Sequence, residues 1–155
     1  MHMVDALLSP AVGVSMWGAT TGALAWSSRR LRRDGDDRKV PLMAVLGAFV
    51  FTAQMIKIAI PATGSCGHLG GALLLAILLG PHAAFLGVAS VLVVQALFFA
   101  DGGLLALGCN IVNLGALTAF IAYPLVYRPL AGRGHHLAAT IAAAVVSLQL
   151  AAFGV

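Results

Sequence analysis

Charge is nearly absent from this chain. Only 9% of its 155 residues are Asp, Glu, Lys or Arg, against about 25% in a soluble domain. So few charges cannot clothe a globular surface in water. Cysteine is scarce too: Cys66 and Cys109 form no CxxC pair. Two cysteines define no disulfide framework and fix no redox compartment. Also missing is a positive stretch ahead of the first apolar run, which a cleavable export signal needs. The positive residues follow that run instead, so it stays as a helix. There is no GxxxxGK[ST], no GxSxG, no HExxH and no paired-carboxylate arrangement. A P-loop ATPase is thereby excluded, and nothing reads as catalytic. The expectation is a chain that is not an enzyme, in which active transport would draw its energy from a partner.

What is present is oil. The chain is 61% hydrophobic with a mean hydropathy of +1.00. Apolar runs of about 18 residues or more recur along it, the length that crosses a bilayer. The fold class is all-α: a polytopic transmembrane bundle in one domain over 1–155, multi-pass in the cell's inner (plasma) membrane. The net charge of +4 does not point to nucleic acid. Most of the basic residues fall in one run, Arg29, Arg30, Arg32, Arg33, Arg38 and Lys39, with Asp34, Asp36 and Asp37 among them. In a membrane protein that is a cytoplasmic loop.

About six helices are expected. The first covers 10–28, with Ser9 as N-cap and Pro10 in its first turn. Its small residues (Gly13, Gly18, Ala19, Gly22) suit close packing between helices. A second covers 40–60 and ends at Pro61, and the turn-rich "PATGSCG" follows. An apolar stretch over 69–100 is broken by Gly80-Pro81-His82. Further helices cover 104–127 and 137 onward, the last still apolar at Val155. That open end is the pattern of a truncated or naturally short form. The positive-inside rule decides whether 69–100 crosses once or twice. With Arg29–Lys39 inside, the N-terminus and the 61–67 loop lie outside. Only a hairpin at Gly80-Pro81 then brings Arg128 and Arg133 inside. Its first arm is too short to span, at ~1.5 Å per residue against a core of ~30 Å. The 61–67 loop must therefore dip into the protein, where irregular backbone is tolerated only if buried or lining a wet cavity.

That topology puts His2 and His68 on one face. A free amine, the amide of residue 2 and Nδ1 of His2 can close two fused chelate rings on a metal, three nitrogens in one plane. The imidazole of His68 would complete a square-planar set. Nitrogen-rich tetragonal geometry points to Ni(II) or Cu(II) rather than tetrahedral Zn(II). The rival reading is that a histidine at position 2 is accidental. Cys66 reads as a soft ligand or a small core residue, and Asp5 as a partner to a ligand or a cap. Lys57 is either functional or snorkels to the surface. Asn110 and Asn113 read as glue between helices, with lining the site as the other reading of Asn110. His82, His135 and His136 read as solvated loop histidines on the far side.

Several blocks resemble the substrate-binding membrane subunits of nickel and cobalt energy-coupling-factor transporters. They are "MH" with Asp5 and "LLSP", then "PATGSCGHLGGALLLAILLGP", then "VQALFFADGGLLALGCNIVNLG", in that order. The resemblance runs from Met1 to about Gly115 and more weakly beyond. It implies a metal held by the terminal amine of Met1, the amide and ring of His2, and the ring of His68. Ser65, Cys66, Asp5 and Asn110 are candidates to support that set. It further implies uptake of Ni(II) or Co(II) from outside, delivered by tilting of the binding subunit. The implied partners are a coupling transmembrane subunit, two ATPase subunits and often a small accessory membrane subunit, with no nucleic acid. The motif GHLGG resembles the nickel branch. Planar nitrogen ligation agrees, since Ni(II) gains more than Co(II) from a deprotonated amide. The reading of another class is a structural subunit of a membrane complex, in which both histidines are incidental.

Overall fold

The first long helix starts where the sequence places it. In the computed structural model, which describes residues 3, 5–59 and 66–154, Ser9 Oγ accepts a hydrogen bond from the Val12 amide at 3.4 Å. Pro10 sits in the first turn. Helix α1 (Pro10–Asp34) does not stop at residue 28 but runs on through the arginines to Gly35, which takes φ +63. Leu and Arg are good helix formers, and nothing breaks the run before that glycine. Helix α2 (Lys39–Met55) ends earlier than expected. The β-branched Ile56 and Ile58 favour extended backbone, and Ile58–Ala59 (β1) pairs antiparallel with Cys66–Gly67 (β2).

Four more helices follow: α3 (Ala72–Leu79), α4 (Pro81–Phe99), α5 (Leu107–Ala131) and α6 (His136–Phe153). Gly80, at φ +87, joins α3 to α4. The chain folds back there, because a Cβ on Gly87 would lie 3.3 Å from Leu75 Cδ1. This is the hairpin that the charge rule requires. Apart from the two-residue β pair, the described residues form an all-α bundle of about six helices. Helices α4, α5 and α6 are each long and apolar enough to cross a membrane; α2 is apolar but shorter. Over Thr118–Tyr127, α5 is wound more widely, with the Arg128 amide reaching the Tyr123 carbonyl. Pro124 lies inside that segment. A proline donates nothing and crowds the carbonyl four residues back, which a wider turn relieves.

Helix α4 is the central element. Phe85, Val88 and Leu92 pack against Val50 of α2, Leu75 of α3 and Ile111 of α5. Val14, Val45, Phe49, Leu125, Ile141 and Val145 face outward, as side chains do when lipid is the solvent. Of the small residues expected to pack along α1, only Gly13 does so, against Leu105. Gly18 and Gly22 have nothing within 4 Å, so the packing face of α1 turns away from them.

The ends of the bundle are sorted. At one end Gly103 N–H donates to the Met3 carbonyl at 3.2 Å, and Asn113 Nδ2 donates to the Ala151 carbonyl at 2.9 Å. At the other, Trp26 and His82 rings lie 4.6 Å apart, and His82 and Phe120 5.4 Å. His82 is thus not a solvated loop histidine: it belongs to the first turn of α4 and is wedged between aromatic rings. The arginine cluster ends α1 on this same side. In a chain whose own cysteines are replaced by serine, outside labelling should reach Leu104→Cys and miss Asp36→Cys and Arg133→Cys. Labelling at 133 from outside would overturn the orientation.

Candidate metal centre

The N-terminal tail is clamped to the bundle. Asn110, on α5 and 1% exposed, takes both backbone groups of Met3. Its Oδ1 accepts from Met3 N–H at 2.8 Å and its Nδ2 donates to the Met3 carbonyl at 3.2 Å. This is the pairing a neighbouring β-strand would offer, made by one side chain. Asp5 opens a short 3-10 turn (Asp5–Leu7), and its Oδ1 accepts from the Ala106 amide at 2.9 Å. It therefore caps the start of α5, one of the two roles open to it. Gly103 packs so closely on Asp5 that a side chain there would collide.

Helix α1 supports this floor from behind. A Cβ on Gly108 would come within 2.9 Å of the Trp17 backbone nitrogen. With no side chain in the way, Thr20 donates its hydroxyl to the Gly108 carbonyl at 2.9 Å, and Trp17 Nε1 reaches the Leu104 carbonyl at 3.0 Å.

His68 follows the β pair directly and is half-buried. Its Nδ1 lies 3.1 Å from the Leu69 carbonyl oxygen. A carbonyl only accepts, so Nδ1 carries the proton and Nε2, which is enclosed, holds the lone pair. Metal-binding histidines are oriented in this way, one nitrogen donating to a carbonyl and the other facing the metal. Burial lowers the pKa of His68 from its ordinary value of 6.5, outweighing the Leu69 carbonyl that raises it. The ring is therefore neutral and able to ligate at neutral pH.

Two sets of contacts that the sequence reading missed hold this loop. Lys57 does not merely snorkel: its Nζ lies 2.8 Å from Asp101 Oδ2, which ties the base of the loop to the turn after α4. Gln54 Nε2 donates to the Gly70 carbonyl at 2.8 Å, and Gln95 Nε2 donates to Gln54 Oε1 at 2.9 Å. Amides inside the apolar runs "FTAQMI" and "LVVQAL" are a signal in themselves, because polar groups at membrane depth are costly. Gly71 turns the chain into α3 at φ +73, with Val50 where a side chain would point.

Of the residues named from sequence, the structure places Asp5 on the Ala106 amide, Asn110 on Met3 and His68 on a braced loop. Met1, His2 and Ser65 lie outside the described residues. Cys66 belongs to β2, but its side chain lies outside them as well. Among the described residues there is no cluster of three or more His, Cys, Asp and Glu. Replacing Asn110 by Leu should release Met3 and weaken metal binding roughly 10–100-fold, the scale of losses one step from the ligands. Unaltered affinity in a folded N110L protein would detach the tail from the site.

A bundle of apolar helices with its arginines at one end, and a tethered tail and a histidine loop in its structure, belongs to the class of membrane-embedded transport components. Residues 2–155 match the CbiM family, the cobalt uptake substrate-specific transmembrane region, and the chain belongs to that family. A fused nickel transport protein of Rhodobacter capsulatus is 37% identical over 122 residues, covering 79% of this chain and 35% of that protein. A cobalt transport protein of Chlorobium limicola is 38% identical over 131 residues, covering 83% of this chain and 50% of the relative. The chain thus spans a third to a half of these two relatives. A crystal structure of a truncated transition-metal transporter superposes with a TM-score of 0.90 at 34% identity, covering 99% of this chain and 72% of that one.

Proposed function

We propose that the chain binds Ni(II) at the end of the bundle opposite the arginine cluster, as the cargo of an uptake transporter. Four nitrogens would hold it: the amine of Met1, the amide and Nδ1 of His2, and Nε2 of His68. The observation that carries this reading is the grip of Asn110 on both backbone groups of Met3. A buried amide held in register with the third residue of a chain makes sense where the first two must arrive at a fixed place. Neutral His68, with its Nδ1 proton on a carbonyl, supports it from the loop side.

Relatives bear both nickel and cobalt in their names, so kinship does not choose the metal. Ligand chemistry favours Ni(II). A deprotonated amide in a planar nitrogen set suits Ni(II) more than Co(II). Co(II) remains the second reading, since the family is described by cobalt uptake. The energy would come from a coupling transmembrane subunit and two ATPase subunits in the inner membrane, with a small accessory membrane subunit. The fused nickel transport protein among the relatives fits a membrane partner working beside this domain. The test is elemental analysis of the purified chain with a free N-terminus. About one equivalent of nickel is expected. Protein that takes up neither nickel nor cobalt would return both histidines to an incidental role in a structural subunit.

A further inference from the structure

We propose that Gln54 and Gln95 are positioning residues for the metal site, a buried amide relay that fixes the loop carrying His68. The inference rests on the metal-binding reading above and adds to it the means by which a ligand on irregular backbone is held still.

The relay has a direction. Gln95 on α4 is fully buried and Gln54 on α2 is 1% exposed. Gln95 donates to Gln54 at 2.9 Å, and Gln54 donates to the Gly70 carbonyl at 2.8 Å. Both ends of the Gln54 amide are thus engaged, and it cannot flip. A flip would set its oxygen against the Gly70 oxygen and its NH2 against that of Gln95. Gly70 lies two residues beyond His68, while Gly67, just before His68, is paired with Ile58. His68 therefore sits in a short span fixed on both sides. Gly71 completes the second anchor by turning against Val50.

Helix packing alone does not require this arrangement. Helices α2 and α4 already meet through their apolar side chains, with Val50 buried among α4 residues. Two buried amides cost desolvation, and Gln95 Oε1 meets no donor among the described residues. Apolar side chains of similar shape in both places would hold the helices as well or better. What they could not do is hold the Gly70 carbonyl. The relay's distinctive effect is on the loop, and through it on the His68 ring.

The roles separate in a double-mutant cycle on the full chain with a free N-terminus. Ni(II) affinity is read by competition with a chelator, and thermal unfolding is followed without metal. Gln54→Met should weaken Ni(II) binding about 10–100-fold and lower the unfolding temperature, because it strands the buried Gln95 amide; adding Gln95→Met should recover much of that temperature but none of the binding. Gln95→Met should weaken binding less, because it acts only through Gln54, and should have no further effect on binding once Gln54 is Met. Equal effects of Gln95→Met in both backgrounds would overturn the relay. So would unaltered affinity in Gln54→Met while His68→Ala loses binding, and in that case the metal site stands without it. If His68→Ala binds like the parent, the metal site itself fails and takes the relay with it. Should Gln54→Met not fold, Gln95→Met decides alone: weakened binding supports the relay and unaltered binding overturns it.

Discussion

Metal should be lost when a single residue is added ahead of Met1. The extension turns the terminal amine into an amide and removes the neutral donor that opens the chelate. It also has no slack to use, because Met3 is held by Asn110 and by Gly103. An N-terminal tag should therefore abolish tight binding in a protein that still folds, while a C-terminal tag should be harmless. Removing Met1 should fail too. His2 would then supply amine and ring from one residue, with no intervening amide to bind. Matched N-tagged, C-tagged and untagged proteins, analysed for metal and checked by circular dichroism, decide the matter. Full occupancy in a folded N-tagged protein would sink the mechanism.

The same ligand set dictates a pH dependence. Protons compete for every nitrogen, so affinity should fall as pH falls. The order follows from the pKa values. An amine titrates near ~8, whereas burial holds His68 below 6.5. The amide gives up its proton on binding at every pH, so affinity should fall steadily, more steeply once the amine is protonated and more steeply still at the lower pH where His68 is lost. Metal titrations at a series of pH values read this directly; affinity that rises on acidification would contradict it.

The second large effect is at His68. Its replacement by Ala removes the fourth nitrogen and leaves the three from the terminus. It also opens the wall of the site to water. Binding should fall at least ~10–100-fold, the scale measured even for losses one step removed from a metal. Cys66→Ser should cost far less, because the proposed ligand set is all nitrogen. Loss of binding in Cys66→Ser but not in His68→Ala would mean that the planar nitrogen site is the wrong chemistry. Both variants are read by chelator competition on untagged protein.

The bundle was legible because its signals are long. Apolar runs, one dense arginine cluster and the break at Gly80-Pro81 carry helix number and direction without any tertiary knowledge. The ends were less legible, for local reasons. The arginines of α1 are as helical as the apolar residues before them, and the isoleucines after Met55 are as apolar as those within α2. Composition therefore hides where the backbone changes state. Within the site, His68 stood out as an ionisable residue in a glycine-rich turn. Asn110 was visible as a polar residue in a helix, but whether it would bond a helix or the tail depended on what folded against it. Gln54 and Gln95 were visible as amides inside apolar runs, but their pairing, like that of Lys57 with Asp101, had no signature along the chain. Each joins segments brought together only by the hairpin of α3 and α4. The stripe from Gly18 to Gly22 misled for the same reason: small residues announce close approach but do not name the partner.

The inequality of the two hairpin arms has an electrical consequence. At ~1.5 Å per residue, α3 rises about 12 Å from Gly80 while α4 rises about 28 Å. Gly70, two residues beyond His68, is tied through Gln54 to Gln95, about one turn below the end of α4. A membrane voltage falls across that depth. A dication carried through the whole field gains about 4.6 kcal/mol per 100 mV, twice the value for a single charge. With the tail facing outward, as the proposed function requires, and the cell interior negative, cargo reaching His68 would already have descended part of that drop. Binding at the proposed site would then itself be a partial crossing, and its occupancy would become a function of membrane potential.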